Sequence, residues 1–326
     1  MNQLKRFLVV TTLLLATVAR TEGAPLETFV EAAGPAGPLK GTMLAPESAH
    51  SPVVLIIPGS GPTDRDGNNP LGVKASTYRL LAQDLAAHGV TTVRIDKRGM
   101  FASAAATPDA NAVTIADYAK DVRAWVAVLR KTTGAPCIWL LGHSEGGLVA
   151  MVASKGQPEI CGQVLVAAAG RPMGVVMREQ IKANPANAPL LAQALPAIDA
   201  LEQGRQVDTA EMPPVLQGLF RTQVQGFLIS AFSYDPLELL AAYPKPVLVL
   251  QGQRDIQVSV ADALLLKHAA PRSTLALLPD ANHVLKSVKS DDRRANIATY
   301  ADPGLPLAPG VVDSIADFVT SNSKLD

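Results

Sequence analysis

The chain contains little cysteine and no excess of either charge. Only Cys137 and Cys161 occur among its 326 residues, and two cysteines alone argue against a zinc site. Lysine and arginine together number 29, as do aspartate and glutamate, so the formal net charge is zero. Proteins that bind nucleic acid usually carry a basic excess, which is missing here. The charge balance therefore argues against a nucleic-acid partner.

The N-terminal apolar run is too short to span a membrane comfortably. It covers residues 7–18, whereas a spanning helix needs about 20 residues. Lys5 and Arg6 precede the run, and small and polar residues follow it up to Ala24. This pattern predicts a secretory signal peptide over residues 1–24, with an uncleaved anchor as the alternative. We expect an exported protein, periplasmic or secreted, that has no stable membrane association after cleavage.

Apolar strands and amphipathic helices alternate along the rest of the chain. The strand-like runs are almost continuously apolar. Such runs are typical of strands that are buried on both faces, in a parallel sheet covered by helices on each side. Two shorter runs before them, "LETFVEAAG" and "LKGTMLAPE", predict an N-terminal hairpin. The alternating runs are "PVVLIIPG", "TYRLLAQDLAAHG", "VTTVRID", "TIADYAKDVRAWVAVLRKTTG", "APCIWLLG", "CGQVLVAAAG", "KPVLVLQG", "VADALLLKHAA", "STLALLPD" and "GVVDSIADFVTS".

Residues 171–243 interrupt this alternation. They contain apolar residues at helical spacing, with prolines between them. We interpret them as a helical cap inserted into an α/β core that comprises residues 25–170 and 244–326. The alternative is that these helices are only additional packing layers, because periodicity alone does not distinguish the two.

The stretch "LLGHSEGG", residues 140–147, carries a Gly-x-Ser-x-Gly pattern centred on Ser144. Such a pattern occurs by chance, and a serine in this place can also serve as a helix N-cap. Here it lies between an apolar strand and a helix-compatible run, which is the setting of a nucleophile elbow. Gly142 and Gly146 would allow the crossing chain segments to approach closely. The context predicts Ser144 as a nucleophile.

A serine nucleophile needs a base and an acid that orients the base. Of the five histidines, His283 follows the last predicted strand, late in the chain, in the place that the order serine, acid, histidine requires. Asp255 lies just beyond the end of a strand, where catalytic groups of parallel sheets collect. We predict His283 as the base and Asp255 as the acid. Asp255 could instead cap the next helix, and Asp280 is a rival acid in the loop of His283.

Backbone N–H groups that stabilise a developing oxyanion would complete such a site. The residue after the nucleophile, Glu145, is the first predicted donor. Ser60, in the glycine-rich segment "IIPGSGPTDRDGN", is the second, with a plain glycine turn as the alternative. The neighbouring charged residues 64–66 are interpreted as either substrate contacts or a structural ion-pair network.

These motifs together resemble those of an α/β-hydrolase over essentially the whole mature chain. The motifs "PGSGPTDRDGN", "RIDKRG", "GHSEGG", "GQRDIQV" and "ANHVLK" occur in the order of that family. The first two resemble a bacterial subgroup of serine esterases, related to prolyl-oligopeptidase-like and dienelactone-hydrolase-like proteins, that act on acyl or acetyl esters. The resemblance implies an α/β-hydrolase fold. It also implies Ser144, Asp255 and His283 as the triad, with Ser60 and Glu145 as amide donors.

The expected function is that of a serine esterase acting on a small-molecule ester through an acyl-enzyme intermediate, with no metal and no organic cofactor. A serine peptidase or amidase with the same triad is the first alternative, because amide and ester acylation pass through similar intermediates. A haloperoxidase-like or acyl-transfer activity is more distant. The alternative of a different class is a non-catalytic binding protein on a hydrolase scaffold.

The two cysteines open consecutive predicted strands. Cys137 begins the strand that leads to Ser144, and Cys161 begins the next one. Consecutive strands of a parallel crossover unit are often neighbours about 4.8 Å apart, which lies within the Cα separation that a disulfide tolerates. Export would supply an oxidising compartment. A disulfide is therefore one expectation, and two buried free thiols are the other.

Overall fold

The computed structural model describes residues 26–47 and 51–323. The predicted signal peptide, residues 1–24, lies outside the described residues. In the part of the chain that is described, no helix is both long and apolar enough to cross a membrane.

In the described part of the chain, eight strands form one mostly parallel sheet. The strands are β1 Leu26–Ala33, β2 Pro38–Ala45, β3 Val53–Ile57, β4 Thr91–Ile95, β5 Ile138–His143, β6 Ile160–Val166, β7 Val247–Gly252 and β8 Thr274–Leu278. Their order in the sheet is β1-β2-β4-β3-β5-β6-β7-β8. The predicted hairpin is confirmed, because β1 and β2 pair antiparallel. Strand β2 also pairs antiparallel with β4, and every further neighbouring pair is parallel.

Helices follow the strands as the alternating pattern predicts. Short 3-10 turns occupy Phe101–Ala106, Pro185–Leu190 and Thr299–Ala301. The helices are α1 Thr77–Ala87, α2 Ile115–Thr133, α3 Glu145–Ser154, α4 Met173–Lys182, α5 Leu191–Glu202, α6 Pro214–Phe220, α7 Thr222–Phe232, α8 Pro236–Ala241, α9 Val260–Ala269, α10 Arg293–Ala298 and α11 Val311–Ser323.

The helices cover both faces of the sheet, and the side chains of the central strands divide between two hydrophobic clusters. In β3, Leu55 belongs to the cluster that includes side chains of α2, α3 and α9, whereas its neighbours Val54 and Ile56 belong to the cluster that includes side chains of α1 and α11. Successive side chains of a strand point to opposite faces, so an uninterrupted apolar strand can serve both clusters. The predicted fold class, an α/β-hydrolase sheet with helices on both faces, is confirmed.

Five helices, α4 to α8, lie between β6 and β7 in the chain. They occupy the segment 171–243 that interrupts the alternation in the sequence, and several of their apolar side chains join the cluster formed by α2 and α3. The division of the chain into core and cap stays a prediction. The sequence did not predict α10, a single short helix that Asp292 caps at its N-terminus.

A disulfide joins Cys137 and Cys161, with their Cα atoms 5.1 Å apart. The parallel pairing of β5 with β6 brings the two residues together at the N-terminal end of these strands. Within the described residues no cysteine is free. The expected bridge therefore forms, and the alternative of two buried thiols does not hold in this structure.

We expect the bridge to stabilise the protein by about 3 kcal/mol, because it closes a loop of 24 residues and restricts the unfolded chain. Denaturant unfolding of the double variant Cys137→Ser/Cys161→Ser, compared with the wild type, measures this difference. Unfolded, unreduced wild-type protein from an oxidising compartment should take up no alkylating reagent. Uptake of two alkyl groups without prior reduction would show that the bridge does not form in solution.

Candidate active site

Ser144 occupies a strained turn between β5 and α3. Its backbone has φ 55° and ψ −121°, a conformation that side-chain-bearing residues rarely adopt and that costs roughly 1–3 kcal/mol. The Ser144 N–H donates to the Val166 carbonyl at 2.9 Å, which ties the turn to β6. Strain of this kind at a strand-to-helix turn is typical of a nucleophile elbow.

The glycines around Ser144 make the turn possible. A Cβ on Gly142 would collide with the Gly146 carbonyl, and a Cβ on Gly146 would collide with the Ile57 carbonyl of β3. The Ser144 hydroxyl makes no capping hydrogen bond to α3, so the N-cap interpretation of this residue finds no support.

The carboxyl ends of neighbouring strands bring Asp255 and His283 together. His283 Nδ1 lies 2.8 Å from Asp255 Oδ2, and both side chains are buried. The second oxygen, Oδ1, accepts the backbone N–H groups of Gln257 and Val258 at 2.7 and 2.9 Å. Burial alone would raise the pKa of Asp255, but the His283 imidazole and these donors outweigh burial and lower the pKa. Asp255 is therefore held as a carboxylate beside His283.

The rival acid, Asp280, does not take this place. No hydrogen bond or ion pair links its carboxylate to His283 among the described residues, and its backbone carbonyl accepts the Val288 N–H at 2.8 Å. Asp255 does not serve only as a helix cap either, because Ser259 forms the capping box of α9.

Ser144 and His283 face one cavity of about 350 Å³. No hydrogen bond joins the Ser144 hydroxyl to the imidazole in the described part of the chain, and such bonds are often long in the absence of substrate. Ser60 and Glu145, the two predicted amide donors, also line the cavity. The remaining lining residues are Gly59, Thr63, Gly67, Asn69, Val73, Thr77, Tyr78, His143, Ala169, Met173, Val176, Met177, Gln180, Leu219, Gln257, Val258, Val284 and Tyr300.

The backbone geometry suits the two predicted donors. Glu145 is the first residue of α3, so its N–H has no acceptor within the helix. The N–H of Gly59 donates to the Tyr78 hydroxyl at 3.0 Å, whereas the N–H of Ser60 has no acceptor among the described residues. A Cβ on Gly59 would lie 3.3 Å from the Ser144 Cβ, so this loop runs directly against the serine.

The charged residues 64–66 form a structural network and do not line the cavity. Arg65 donates to the Asp96 carboxylate through Nε at 3.0 Å, and Asp66 pairs with Arg94. Asp64 accepts the backbone N–H groups of Asp66 and Asn68 at 2.9 and 2.8 Å. Of the two interpretations of this segment, the ion-pair network describes the structure.

A comparison with protein families extends these observations. The family model described as serine aminopeptidase, S33 (Hydrolase_4), matches residues 71–287, more than half of the chain. The chain belongs to this family. None of the curated protein sequences matches the chain closely enough to add to this result.

Solved structures similar to this S33-family chain are α/β hydrolases. One is the α/β hydrolase GrgF from Penicillium sp. sh18, which is 18% identical, with a TM-score of 0.59 and coverage of 92% of this chain and 98% of the other. Another is Est1E from Butyrivibrio proteoclasticus, with 15% identity, a TM-score of 0.57 and coverage of 90% and 98%. The esterase domain of a Rhodothermus marinus protein has 17% identity, a TM-score of 0.52 and coverage of 90% and 99%. Identities this low show a shared fold.

Sequence reasoning on this S33-family chain missed the interactions of His143 and Tyr78. The hydroxyl of Tyr78 accepts the Gly59 N–H at 3.0 Å and lies 2.8 Å from His143 Nδ1. The His283 carbonyl, 2.8 Å from His143 Nε2, can only accept, so Nε2 carries a proton and donates to it. Burial, followed by the nearby His283, lowers the pKa of His143 to about 3. The imidazole is therefore neutral with an unprotonated Nδ1, which accepts the Tyr78 hydroxyl proton, and it connects the Gly59 loop with the backbone of His283.

In the sequence, His143 occupies the variable position of the Gly-x-Ser-x-Gly motif and Tyr78 lies in an amphipathic helix. The two residues are 65 positions apart. No local pattern links them, because their contact depends on how α1 packs against the end of β5. Within residues 26–47 and 51–323, no group of three or more His, Cys, Asp or Glu side chains is placed to hold a metal ion.

Proposed function

We propose that this S33-family chain is a serine hydrolase that cleaves uncharged carboxylic esters through an acyl-enzyme. The observation that carries the proposal is the shared cavity, which is lined both by the strained Ser144 and by the His283 imidazole that Asp255 holds. A serine hydroxyl is a weak nucleophile, so it needs a neighbouring base whose orientation is fixed. Ser144, His283 and Asp255 provide these three roles.

In the proposed reaction, Ser144 Oγ attacks the acyl carbon while His283 Nε2 takes its proton. The N–H groups of Ser60 and Glu145 donate to the oxyanion of the tetrahedral intermediate. Collapse of the intermediate breaks the bond to the alcohol oxygen, which receives the proton from His283. Water then attacks the acyl-enzyme with His283 again as the base, and the carboxylic acid leaves Ser144 free.

The cavity supports a neutral substrate. Glu145 is the only carboxylate residue among the described lining residues, and its side chain is buried and directed to Lys97. An aminopeptidase binds the ammonium group of its substrate, and a buried charge without a partner is costly. Although the family carries the name of an aminopeptidase, the lining therefore favours an ester whose acyl and alcohol groups carry no charge. Three of the similar solved structures are described as esterases or an esterase domain.

Helix α4 supports a role for residues 171–243 in substrate selection. Met173, Val176 and Met177 present an apolar wall to the cavity, with Leu219 of α6 beside them. We include this role in the proposal, since an apolar wall next to the acyl carbon would select among acyl chains. The finer similarity to prolyl-oligopeptidase-like and dienelactone-hydrolase-like esterases stays part of the proposal, as does export, which the Cys137–Cys161 bridge supports.

A substrate panel tests the proposal. We expect p-nitrophenyl butyrate to be hydrolysed with a kcat/KM at least tenfold higher than that of p-nitrophenyl hemisuccinate, because the described residues that line the cavity include no lysine or arginine to pair with the succinate carboxylate. Leucine p-nitroanilide should be at least a hundredfold poorer than the butyrate ester. A fluorophosphonate probe should label Ser144, as intact mass and peptide mapping report.

Two outcomes would contradict this function. A higher kcat/KM for the anilide than for every ester would make the protein a peptidase or amidase. Absence of both ester hydrolysis and fluorophosphonate labelling would favour a non-catalytic binding protein on this fold. A comparison of kcat/KM for acetate, butyrate and octanoate esters in the same panel tests whether the apolar wall of α4 selects among acyl chains.

A further inference from the structure

Lys97 is a buried cation next to the candidate oxyanion loop. It follows β4, and its side chain is 4% exposed. The ammonium donates to the Gly59 carbonyl at 2.6 Å, lies 3.6 Å from Glu145 Oε1, and stands over the ring of Tyr118 at 5.3 Å from the centroid. An ammonium buried without partners is strongly disfavoured, so these three groups determine where it lies.

The carbonyl that Lys97 contacts shares a peptide unit with the N–H of Ser60. A peptide unit is planar, so the direction of the Gly59 C=O fixes the direction of the Ser60 N–H. A cation that hydrogen-bonds the oxygen also polarises the unit and makes its N–H a stronger donor. Lys97 therefore contacts the oxygen of the same peptide unit whose N–H the proposed mechanism uses as an oxyanion donor.

Few other contacts restrain this peptide. On its N-terminal side the Gly59 N–H is held by the Tyr78 hydroxyl at 3.0 Å. On its C-terminal side Ser60 is exposed, and Thr63 donates to its carbonyl at 2.9 Å. In the described residues Lys97 is the donor to the Gly59 carbonyl. Removal of Lys97 would leave the Gly59 carbonyl without its donor and loosen the orientation of the Gly59–Ser60 peptide.

Lys97 also connects the loop to the second donor. The Glu145 carboxylate is 2% exposed, and its Oε1 has no hydrogen-bond partner among the described residues. Burial lowers the pKa of Lys97, and the charge of Glu145 opposes that change. The backbone N–H of Glu145 is the other proposed donor, so a single ion pair links both sides of the proposed oxyanion hole.

We propose that Lys97 is a positioning residue of the oxyanion hole: its ammonium orients and polarises the Gly59–Ser60 peptide from within the fold and aligns it with the N-terminus of α3. This inference rests on the proposed hydrolase function. A positioning role and a purely stabilising ion pair predict different results. Replacement of a stabilising pair causes no selective loss of transition-state stabilisation, whereas replacement of a positioning residue does.

The variant Lys97→Met removes the ammonium and keeps the length of the apolar stem. We expect kcat for p-nitrophenyl butyrate to fall by about 10- to 100-fold, with KM changed less than threefold. This is smaller than the loss of about 100- to 1000-fold expected when a donor is deleted, because the Ser60 N–H remains but is poorly aligned. Circular dichroism and thermal unfolding report whether the variant is folded at the assay temperature.

A matched ester and thionoester of the same acyl group distinguish positioning from general damage. The sulfur atom is larger and accepts hydrogen bonds weakly, so the thionoester benefits little from the hole. The ratio of kcat/KM for ester over thionoester should fall about tenfold in Lys97→Met. The control Arg98→Met removes a neighbouring buried cation that pairs with Asp121, and it should leave this ratio unchanged below its melting temperature.

If Lys97→Met does not fold, Lys97→Met/Glu145→Gln removes both buried charges together and should show the same fall in the ratio. Equal losses on ester and thionoester, a change confined to KM, or wild-type kinetics in a folded variant would overturn the role of Lys97. Each of these results is distinct from failure of the proposed function, in which the wild type itself hydrolyses no ester and its Ser144 is not labelled.

Discussion

The variant Ser144→Ala is expected to lower kcat for p-nitrophenyl butyrate by 10³-fold or more while the fold stays intact. Only the hydroxyl oxygen is lost, and with it the bond that an acyl-enzyme requires. That oxygen makes no capping hydrogen bond to α3, so its removal costs the helix no cap. A thousandfold loss corresponds to about 4 kcal/mol of activation free energy. Steady-state kinetics measure the fall in kcat, and circular dichroism and thermal unfolding report whether the fold is intact.

Fluorophosphonate labelling gives an independent measurement, because it requires the nucleophile and no particular substrate. Ser144→Ala should take up no probe. The control is Ser154→Ala, which removes another serine hydroxyl at the far end of α3, where it donates to the Ala150 carbonyl at 2.8 Å. This control should be labelled and active like the wild type. Esterase activity of Ser144→Ala within tenfold of the wild type would reject Ser144 as the nucleophile.

Local periodicity explains why the sheet could be predicted from the sequence. Strand β3 reads as five consecutive apolar residues, Val53–Ile57, and all five are buried because helices lie on both faces. Helix α2 begins at a capping box formed by Thr114 and Asp117 and ends at Gly134, which has φ 73°. The residue types at these three positions are typical of helix ends and can be read in the sequence. Such features depend on neighbours within a few positions, so they can be inferred without the fold.

The position of Asp255 could be inferred for a different reason. It follows a buried strand by three residues, and the carboxyl ends of parallel strands share one edge of the sheet. That rule places the acid and His283 at the same edge, and their 2.8 Å contact agrees with it. It does not give the distance from His283 to Ser144, which depends on side-chain rotamers.

The supporting contacts could not be predicted because they join distant parts of the chain. Lys97 and Gly59 are 38 positions apart, and His143 and the His283 carbonyl are 140 apart. In the sequence, Lys97 is one charged residue in the motif "DKRG", and nothing nearby indicates that it is buried. Only the parallel pairing of β4 with β3 brings its loop beside the loop of Gly59. Helix α10 was missed because its short, charged sequence has no apolar periodicity.

The second large effect concerns Asp255. We expect Asp255→Asn to lower kcat by about 10³- to 10⁴-fold, because an amide nitrogen at the position of Oδ2 cannot accept the His283 Nδ1 proton. His283 would then favour the tautomer with its proton on Nε2, which cannot take a proton from Ser144. The backbone N–H donors of Gln257 and Val258 can still bond the remaining oxygen, so the loop geometry should persist.

The charge of Asp255 also predicts how this variant responds to pH. Its pKa is lowered in the folded protein, so its contribution to stability is present above the pKa of the unfolded chain and is lost as pH falls through the folded value. The difference in unfolding free energy between wild type and Asp255→Asn should therefore be larger at pH 7 than in acid.

The matched control for the loss of activity is Asp280→Asn, which changes the rival carboxylate in the loop of His283 and should keep kcat within threefold of the wild type. If Asp280→Asn lost activity and Asp255→Asn kept it, Asp280 would be the acid. Because both variants replace one carboxylate oxygen by an amide at the same edge of the sheet, a loss confined to Asp255→Asn would come from its contact with His283.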